Sequence, residues 1–474
     1  MQQTKKKNKL VNNIIYAFFA QGVSLLLSVV MSLIVPKILG VEQFGYWQLF
    51  IFYAGYVGFF HFGLNDGIYL KLGGSDYDNL NYNLLGTQFR ISIIVETIFS
   101  FIIVLMITYN ITDMNRSIVF VFVGLYLVVS NAALFLGYIF QATNQTKLFS
   151  ISVVIDRFFV LIFVTFLMLL KVKRFEIFVI FYIISKCISL IYCIKKGKEI
   201  VFSKNSPIHL VIKEIWGNIT VGINLTFANI ASMLILGSGR MVIDKLWGIE
   251  TFGKLSLSIS IANFFLLFIS QVSMVLFPFL RQVSNSRLSE LYIDVSRILD
   301  VVMPIIFLLY FPIKVLLTMW LPQYSESVQY LGLLLPICIF DGKMQLLCNT
   351  YFKVLRKERK ILQYNVIAFL FSFIFSLFCG YILHNMYFIV ISMIAAIGLR
   401  SIMSQNYIAG YFDQKIMWEI IQEVYLIILF MIISWYCSNV IGFFLYLLVY
   451  GIYILLNLKM EKKLFKKIKE YSGK

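Results

Sequence analysis

From residue 11 onward the chain alternates long apolar runs with short polar interruptions, and the runs are long enough to cross a bilayer. A helix rises 1.5 Å per residue against a hydrocarbon core about 30 Å thick, so roughly 20 apolar residues suffice. The pattern predicts helices over 11–35, 44–70, 84–108, 117–141, 148–170, 175–194, 219–247, 255–280, 298–319, 327–350, 361–383, 386–410, 422–438 and 440–458, which makes fourteen. Ile, Phe and Leu dominate these runs, and the period-2 alternation of an outer-membrane barrel is absent. The expected fold is therefore an all-α polytopic membrane protein. Lys5, Lys6, Lys7 and Lys9 precede the first run as they would in a signal peptide. That run exceeds a signal core and lacks a small-residue cleavage site, so it reads as a retained span.

Composition changes the picture little. Hydrophobic residues make up 60% of 474 positions and charged residues 14%, against about 25% charged in soluble proteins. Charge adds an orientation. With the N-terminus inside, 27 Lys and Arg fall on the cytoplasmic side and 6 outside, as the positive-inside rule requires. Both termini are then expected in the cytoplasm; one loop dissents, with Lys171, Lys173 and Arg174 together on the outside. The net charge of +18 needs no nucleic acid, because the basic stretch Arg356-Lys357-Glu358-Arg359-Lys360 and the C-terminal lysines flank spans and face anionic headgroups. Six scattered Cys suggest neither zinc nor a disulfide framework, and His61, His209 and His384 lie on different elements. The longest inner connection, about 195–218, leaves no room for a catalytic domain, and no phosphate-binding Gly-x-x-x-x-Gly-Lys-Ser/Thr occurs. No enzyme, catalytic residue, metal or bound cofactor is expected.

An internal repeat organises the chain. Leu39-Gly40-Val41-Glu42-Gln43-Phe44-Gly45-Tyr46 recurs 208 residues later as Trp247-Gly248-Ile249-Glu250-Thr251-Phe252-Gly253-Lys254, each copy following one span and opening the next. Gly40 and Gly248 suit turns that other residues resist, and Phe44 and Phe252 are expected to anchor the following helices at the membrane interface. The offset predicts two six-helix lobes of the same orientation, 11–194 and 219–410, in a parallel repeat. A basic tail (1–10), a linker (195–218), an additional helix pair (411–458) and a second basic tail (459–474) complete the chain. Two similar bundles are a natural way to expose one site alternately to either side.

The stretch Ile34-Val35-Pro36-Lys37-Ile38-Leu39-Gly40-Val41-Glu42-Gln43-Phe44-Gly45-Tyr46, with Phe62-Gly63-Leu64-Asn65-Asp66-Gly67 closing the second helix, resembles the polysaccharide-biosynthesis and O-antigen flippase family of the multidrug/oligosaccharidyl-lipid/polysaccharide exporter superfamily. Ile243-Asp244-Lys245-Leu246 ahead of the second copy, and Phe277-Pro278 after it, are similar to that family's second lobe. The resemblance covers essentially the whole chain. It implies movement of an undecaprenyl-diphosphate-linked oligosaccharide from the inner to the outer leaflet by alternating access, basic residues meeting the diphosphate, and a polysaccharide polymerase and glycosyltransferases as partners. The family has no strict cavity signature, so individual roles rest on charge and depth.

Ionisable side chains inside a membrane are expensive and mark pathways or helix pairs. Eight bases fall within the predicted spans. Arg90, Lys245 and Lys314 lie near helix ends; Arg157, Lys186, Arg240, Lys343 and Arg400 lie deeper and are the candidate diphosphate contacts. Asp66, Arg90, Asp156, Asp244 and Asp341 are candidates for charge pairing, including an Asp66–Arg90 pair, or for coupling to an H+ or Na+ gradient or the membrane potential. Asn12, Asn13, Gln21, Asn224, Asn229, Asn263 and Gln271 are polar groups for a sugar-compatible path or for bonds between helices. Three other readings stay open: export of another lipid-linked precursor or small molecule, a membrane glycosyltransferase or polymerase, and a non-transporting scaffold.

Overall fold

The computed structural model describes residues 19–280, 283 and 285–471. The basic tail at 1–10, Asn12 and Asn13 lie outside the described residues, as do the side chains of Gln271, Phe277 and Pro278. The described residues are helical apart from short connections. In order the helices are α1 (Phe19–Leu33), α2 (Val35–Tyr56), α3 (Leu64–Lys71), α4 (Tyr82–Asn110), α5 (Met114–Ala142) and α6 (Thr146–Leu169). Then come α7 (Phe175–Lys196), the short α8 (Lys198–Val201), α9 (Ile208–Leu280), α10 (Asn285–Val302), α11 (Ile305–Trp320) and α12 (Ser325–Leu334). The last are α13 (Pro336–Lys343), α14 (Asn349–Val354), α15 (Glu358–Leu377), α16 (Met386–Tyr411), α17 (Met417–Tyr436) and α18 (Asn439–Tyr471).

Polar residues at helix starts satisfy the free N–H groups that every helix leaves. Asn81 accepts from Leu84 N at 3.1 Å, Asp113 from Asn115 N at 2.9 Å, and Asn385 from Tyr387 N at 3.0 Å. Asp113 also accepts the Tyr46 hydroxyl at 2.8 Å, and Gln43 accepts Phe175 N at 3.1 Å, so the repeat motif ties α2 to the starts of α5 and α7.

The expected fourteen spans are not what the described helices give: ten are long and apolar enough, or up to twelve if each bent pair counts once. The difference has a physical origin in the repeat. At Gly40 the backbone takes φ 74° and ψ 177°, and at Gly248 φ 79° and ψ −179°, a region essentially reserved for glycine. Helical hydrogen bonding resumes within a residue of each break. Expected spans seven and eight therefore run on as one helix across Gly248, and α2 runs on across Gly40, while α1 and α2 form a pair bent by 68° between Leu33 and Val35. No atom lies within 4 Å of where a Cβ would stand at either glycine, so backbone geometry alone demands them.

The chain forms two compact units: residues up to Ile230 with Ile249–Gly253, and Ala231–Gly248 with Lys254 onward. The division falls within α9 and not in the 195–218 connection. In the first unit α2 gives way to a tighter turn at Val57–His61 and to left-handed Phe62 and Gly63 (φ 51° and 87°) before α3. Here α3 and the start of α9 approach backbone to backbone. A Cβ on Gly67 would stand 1.9 Å from Asn218 O, and one on Gly222 2.0 Å from Gly63 O, the close packing that small residues allow between membrane helices. Leu64, Ile68, Leu85, Phe89, Phe135, Leu136, Ile139 and Phe140 form the apolar core beside this contact. In the second unit α10 and α11 are separated at Met303–Pro304, and one π turn (Met344–Cys348) interrupts the helix carrying Lys343. Large apolar side chains such as Ile94, Phe101, Met106 and Phe166 stand at least half exposed on helix faces, as lipid-facing positions do.

Both copies of the repeat carry their residues alike: Glu42 and Glu250 are exposed, whereas Phe44, Gly45, Phe252 and Gly253 are buried. Phe44 and Phe252 are fully enclosed, which corrects the expectation of interfacial anchors. The residues that follow Gly248 belong with the first unit, and there Phe252 meets Phe52 edge-on at 5.7 Å. A Cβ on Gly253 would stand 2.9 Å from Gly45 Cα. The paired glycines of the two copies thus touch each other, and the phenylalanines fill the space beside them.

Candidate functional site

The five deep bases separate by what holds them. In the first unit Arg157 and Asp156 are neighbours on α6 and turn to different partners. Asp156 Oδ2 pairs with Lys186 Nζ on α7 at 3.3 Å, with side chains 6% and 17% exposed. Arg157 bonds Tyr182 on α7 and lies in the field of Asp156 beside it and of Tyr126 on α5. Those tyrosines belong to an aromatic corner with Trp47 and Phe50, whose ring centres lie 5.6–5.8 Å from one another where Tyr182 is a partner. Trp47, Phe50 and Tyr126 are buried; Arg157 and Tyr182 are half-buried. A cation at the edge of an aromatic corner suits a ligand that combines sugar faces with phosphate oxygens.

A second polar knot in the same unit surrounds the break between α2 and α3. Asn131 on α5 donates to Val57 O at 3.0 Å, its own carbonyl receives Asn65 at 3.5 Å, and it bonds Glu96 on α4. Asp66 Oδ2 accepts Thr226 Oγ1 at 2.6 Å. The expected Asp66–Arg90 pair is not made. Arg90 donates instead to Val201 O at 2.9 Å and Thr87 Oγ1 at 3.3 Å, because α8 folds back over its end of α4 and leaves carbonyls there to be satisfied.

In the second unit Arg400 is sealed. It pairs with Asp341 on α13 and donates to Ser232 Oγ on α9 at 2.7 Å and Asn365 Oδ1 on α15 at 3.3 Å, its side chain 6% exposed. Lys343, 2% exposed, is shared by Asp300 on α10 and Glu423 on α17. Arg240 donates to Ser256 Oγ at 2.8 Å and stays half-buried, with Asp244 buried one turn away. Arg157 and Arg240, one in each unit, are thus the arginines among the five deep bases that keep some exposed surface. Among the described residues, no group of three or more His, Cys, Asp or Glu is arranged for a metal.

Two of the acids that complete these clusters, Asp300 and Glu423, escape a search by depth. Each stands a few residues from a predicted helix end, where a charge normally reaches water. The spacing of Glu423 four residues after Glu419 gives no sign that one of them is sealed.

Solved structures share this architecture. An inward-facing multidrug resistance MATE family transporter of the MOP superfamily superposes with a TM-score of 0.59 at 12% identity, covering 84% of this chain and 98% of that one. The inward closed form of the lipid II flippase MurJ gives 0.57 at 14%, covering 95% and 99%. An outward-facing MATE transporter gives 0.53 at 9%, covering 85% and 94%. At such identities the likeness establishes the fold alone, that of a multi-pass membrane protein. No curated protein matches the sequence. Residues 10–284, more than half of the chain, match the family described as Polysaccharide biosynthesis protein, and the chain belongs to that family.

Proposed function

We propose that this protein is a flippase that moves undecaprenyl-diphosphate-linked oligosaccharide units from the inner to the outer leaflet of the bacterial cytoplasmic membrane by alternating access. The observation that carries the reading is Arg157, a half-buried guanidinium beside Tyr182 whose neighbouring acid is committed to Lys186. Although Asp156 still acts on it through space, no carboxylate among the described residues occupies its fork in a direct ion pair, and guanidinium binds phosphate in a bidentate fork. Arg240 supplies the corresponding base of the second unit. Lys343 and Arg400 are assigned to helix pairing, since carboxylates already occupy them.

In this reading the chain crosses the membrane fourteen times, the glycine breaks at Gly40 and Gly248 each joining two passes. Support comes from length: a 73-residue helix at 1.5 Å per residue is far longer than a bilayer is thick. Both termini are cytoplasmic on the strength of the Lys and Arg bias, and a polymerase and glycosyltransferases act before and after transport. Movement is coupled to an H+ or Na+ gradient or the membrane potential. A lipid-linked cell-wall precursor is the second reading, favoured by the high coverage of the lipid II flippase structure.

The test is transfer in sealed proteoliposomes of defined orientation. The substrate is undecaprenyl diphosphate carrying the host's oligosaccharide, scored by its accessibility to an external glycan-modifying enzyme. Protein-dependent transfer is expected, and Arg157→Ala should reduce it by about ten- to a hundredfold, the loss of a charged hydrogen bond worth about 1.5–3 kcal/mol, with the thermal midpoint kept. Absence of transfer with this substrate, with and without gradients and voltage, would overturn the reading; transfer of lipid II instead would establish the second.

A further inference from the structure

Lys343 is one cation between two carboxylates. It ends α13, contacts Asp300 of α10, and lies 2.7 Å from Glu423 Oε1 of α17. The three side chains are 2%, 9% and 2% exposed. The other Glu423 oxygen, Oε2, is buried without a hydrogen-bond partner. Fully ionised, this cluster would carry one net negative charge inside the membrane.

Among the described residues no further base pairs with either acid to supply the missing positive charge. Arg400, the neighbouring buried base, is balanced by Asp341. Arg297, one turn before Asp300 on α10, makes no ion pair with either acid among the described residues. The other titratable groups nearby are neutral ones: Tyr453 of α18, which donates to Asp300 O at 3.3 Å, Tyr450 beside it, Tyr292 of α10, and Cys348. An uncompensated charge in hydrocarbon costs several kcal/mol, more than a carboxylate normally loses by taking a proton near neutral pH.

The geometry points to a proton-binding site at Asp300, Lys343 and Glu423: one proton resides on the carboxyl pair at neutral pH, on the Glu423 side where an oxygen lacks a donor. The cluster is then neutral, Lys343 bridging one carboxylate and one carboxylic acid. The site joins α17 of the C-terminal helix pair to α10 and α13. It sits against the Pro304 break, where the hydroxyls of Tyr446, Tyr450 and Tyr453 hold the carbonyls of Pro304, Val301 and Asp300. Loss of the proton would leave a surplus charge at the seam that fixes the pair to its unit, so proton occupancy and the docking of α17 and α18 are linked. This site is independent of what the protein transports.

Infrared spectroscopy of the purified full chain in lipid nanodiscs tests it, because a protonated carboxylic acid has its own carbonyl-stretch band, which shifts in D2O. The wild type at neutral pH should show a component that disappears in Glu423→Gln and also in Asp300→Asn, since either change balances Lys343 without a proton. It should survive in Glu419→Gln, one turn away on α17. Glu423→Gln copies the neutral acid, so its thermal midpoint at neutral pH should equal that of the wild type. Retention of every component in both Glu423→Gln and Asp300→Asn would overturn the proposal. So would a midpoint for Glu423→Gln that falls at neutral pH, as loss of a required negative charge would make it fall. The measurement needs no substrate, so it stands or fails separately from the flippase reading.

Discussion

Arg157 and Arg400 look alike in the sequence, each a lone arginine deep in an apolar helix, yet the two units use them differently. Arg157 has an acid beside it and does not take it; Asp156 goes to Lys186, and the guanidinium is held by the uncharged Tyr182 at the edge of an aromatic corner. Arg400 has no acid within four residues on its own helix, and finds Asp341, Ser232 and Asn365 on three others. The difference shows that depth in the membrane does not decide whether a base takes a carboxylate partner. What separates the two arginines is whether the carboxylates within reach are already committed. Lys343 lies at the structural extreme, with two acids for one base.

The largest expected effect falls at that extreme. Lys343→Met leaves Asp300 and Glu423 facing each other without a cation, and breaking a buried pair in this way costs roughly 3–5 kcal/mol. The thermal unfolding midpoint in detergent should drop sharply, and the deficit should shrink as pH is lowered, because protons then replace the missing ammonium. Adding Asp300→Asn and Glu423→Gln to Lys343→Met should restore most of the loss. If Lys343→Met were as stable as the wild type, the distinction between sealed and available bases would collapse. Next in size is the repeat. Gly40→Ala and Gly248→Ala each force a side chain into a backbone region that costs about 1–3 kcal/mol. With no neighbour to clash at either site, the two losses should be equal within error in the same unfolding measurement. Unequal losses would mean that the two copies carry different loads.

Much of this was legible in the sequence for reasons that are physical. Apolar runs reveal helices because a membrane leaves few alternatives, and the 208-residue offset finds two glycines with the same rare dihedrals because no other residue tolerates them there. Helix count and span count part at those same glycines: the sequence marks a turn, and the backbone changes direction without leaving the helix for more than a residue, so two expected spans share one continuous helix. Phe44 and Phe252 were misplaced at the interface because an aromatic beside a turn reads the same whether it faces headgroups or fills a gap beside paired glycines. Asp300 and Glu423 were invisible as partners because burial near a helix end depends on which neighbouring helix covers it. Arg90 chose carbonyls over Asp66 because α8 brings Val201 within 2.9 Å, a contact set by a connection that has no periodic signal.

The smallest effect tests how the sealed side of the comparison is built. Pro304 has no N–H to offer Asp300 O, so α10 and α11 part there and leave carbonyls that a membrane cannot hydrate. Tyr446, Tyr450 and Tyr453, spaced four and three residues apart on one face of α18, donate to Pro304 O at 3.2 Å, Val301 O at 2.6 Å and Asp300 O at 3.3 Å. Tyr450→Phe removes the shortest of the three and keeps the ring, so only the hydroxyl is tested. An interhelical hydrogen bond in a membrane averages about 0.6 kcal/mol, and a midpoint shift of that small size is expected. Tyr453→Phe should cost no more, since its bond is longer, but it also frees the carbonyl of the residue whose carboxylate Lys343 holds. A Tyr453→Phe change that also alters the carboxylic-acid band would show that the tyrosine ladder and the Lys343 cluster act as one unit. An unchanged band would show that the ladder secures the helix break alone, leaving charge balance to Lys343 and its two acids.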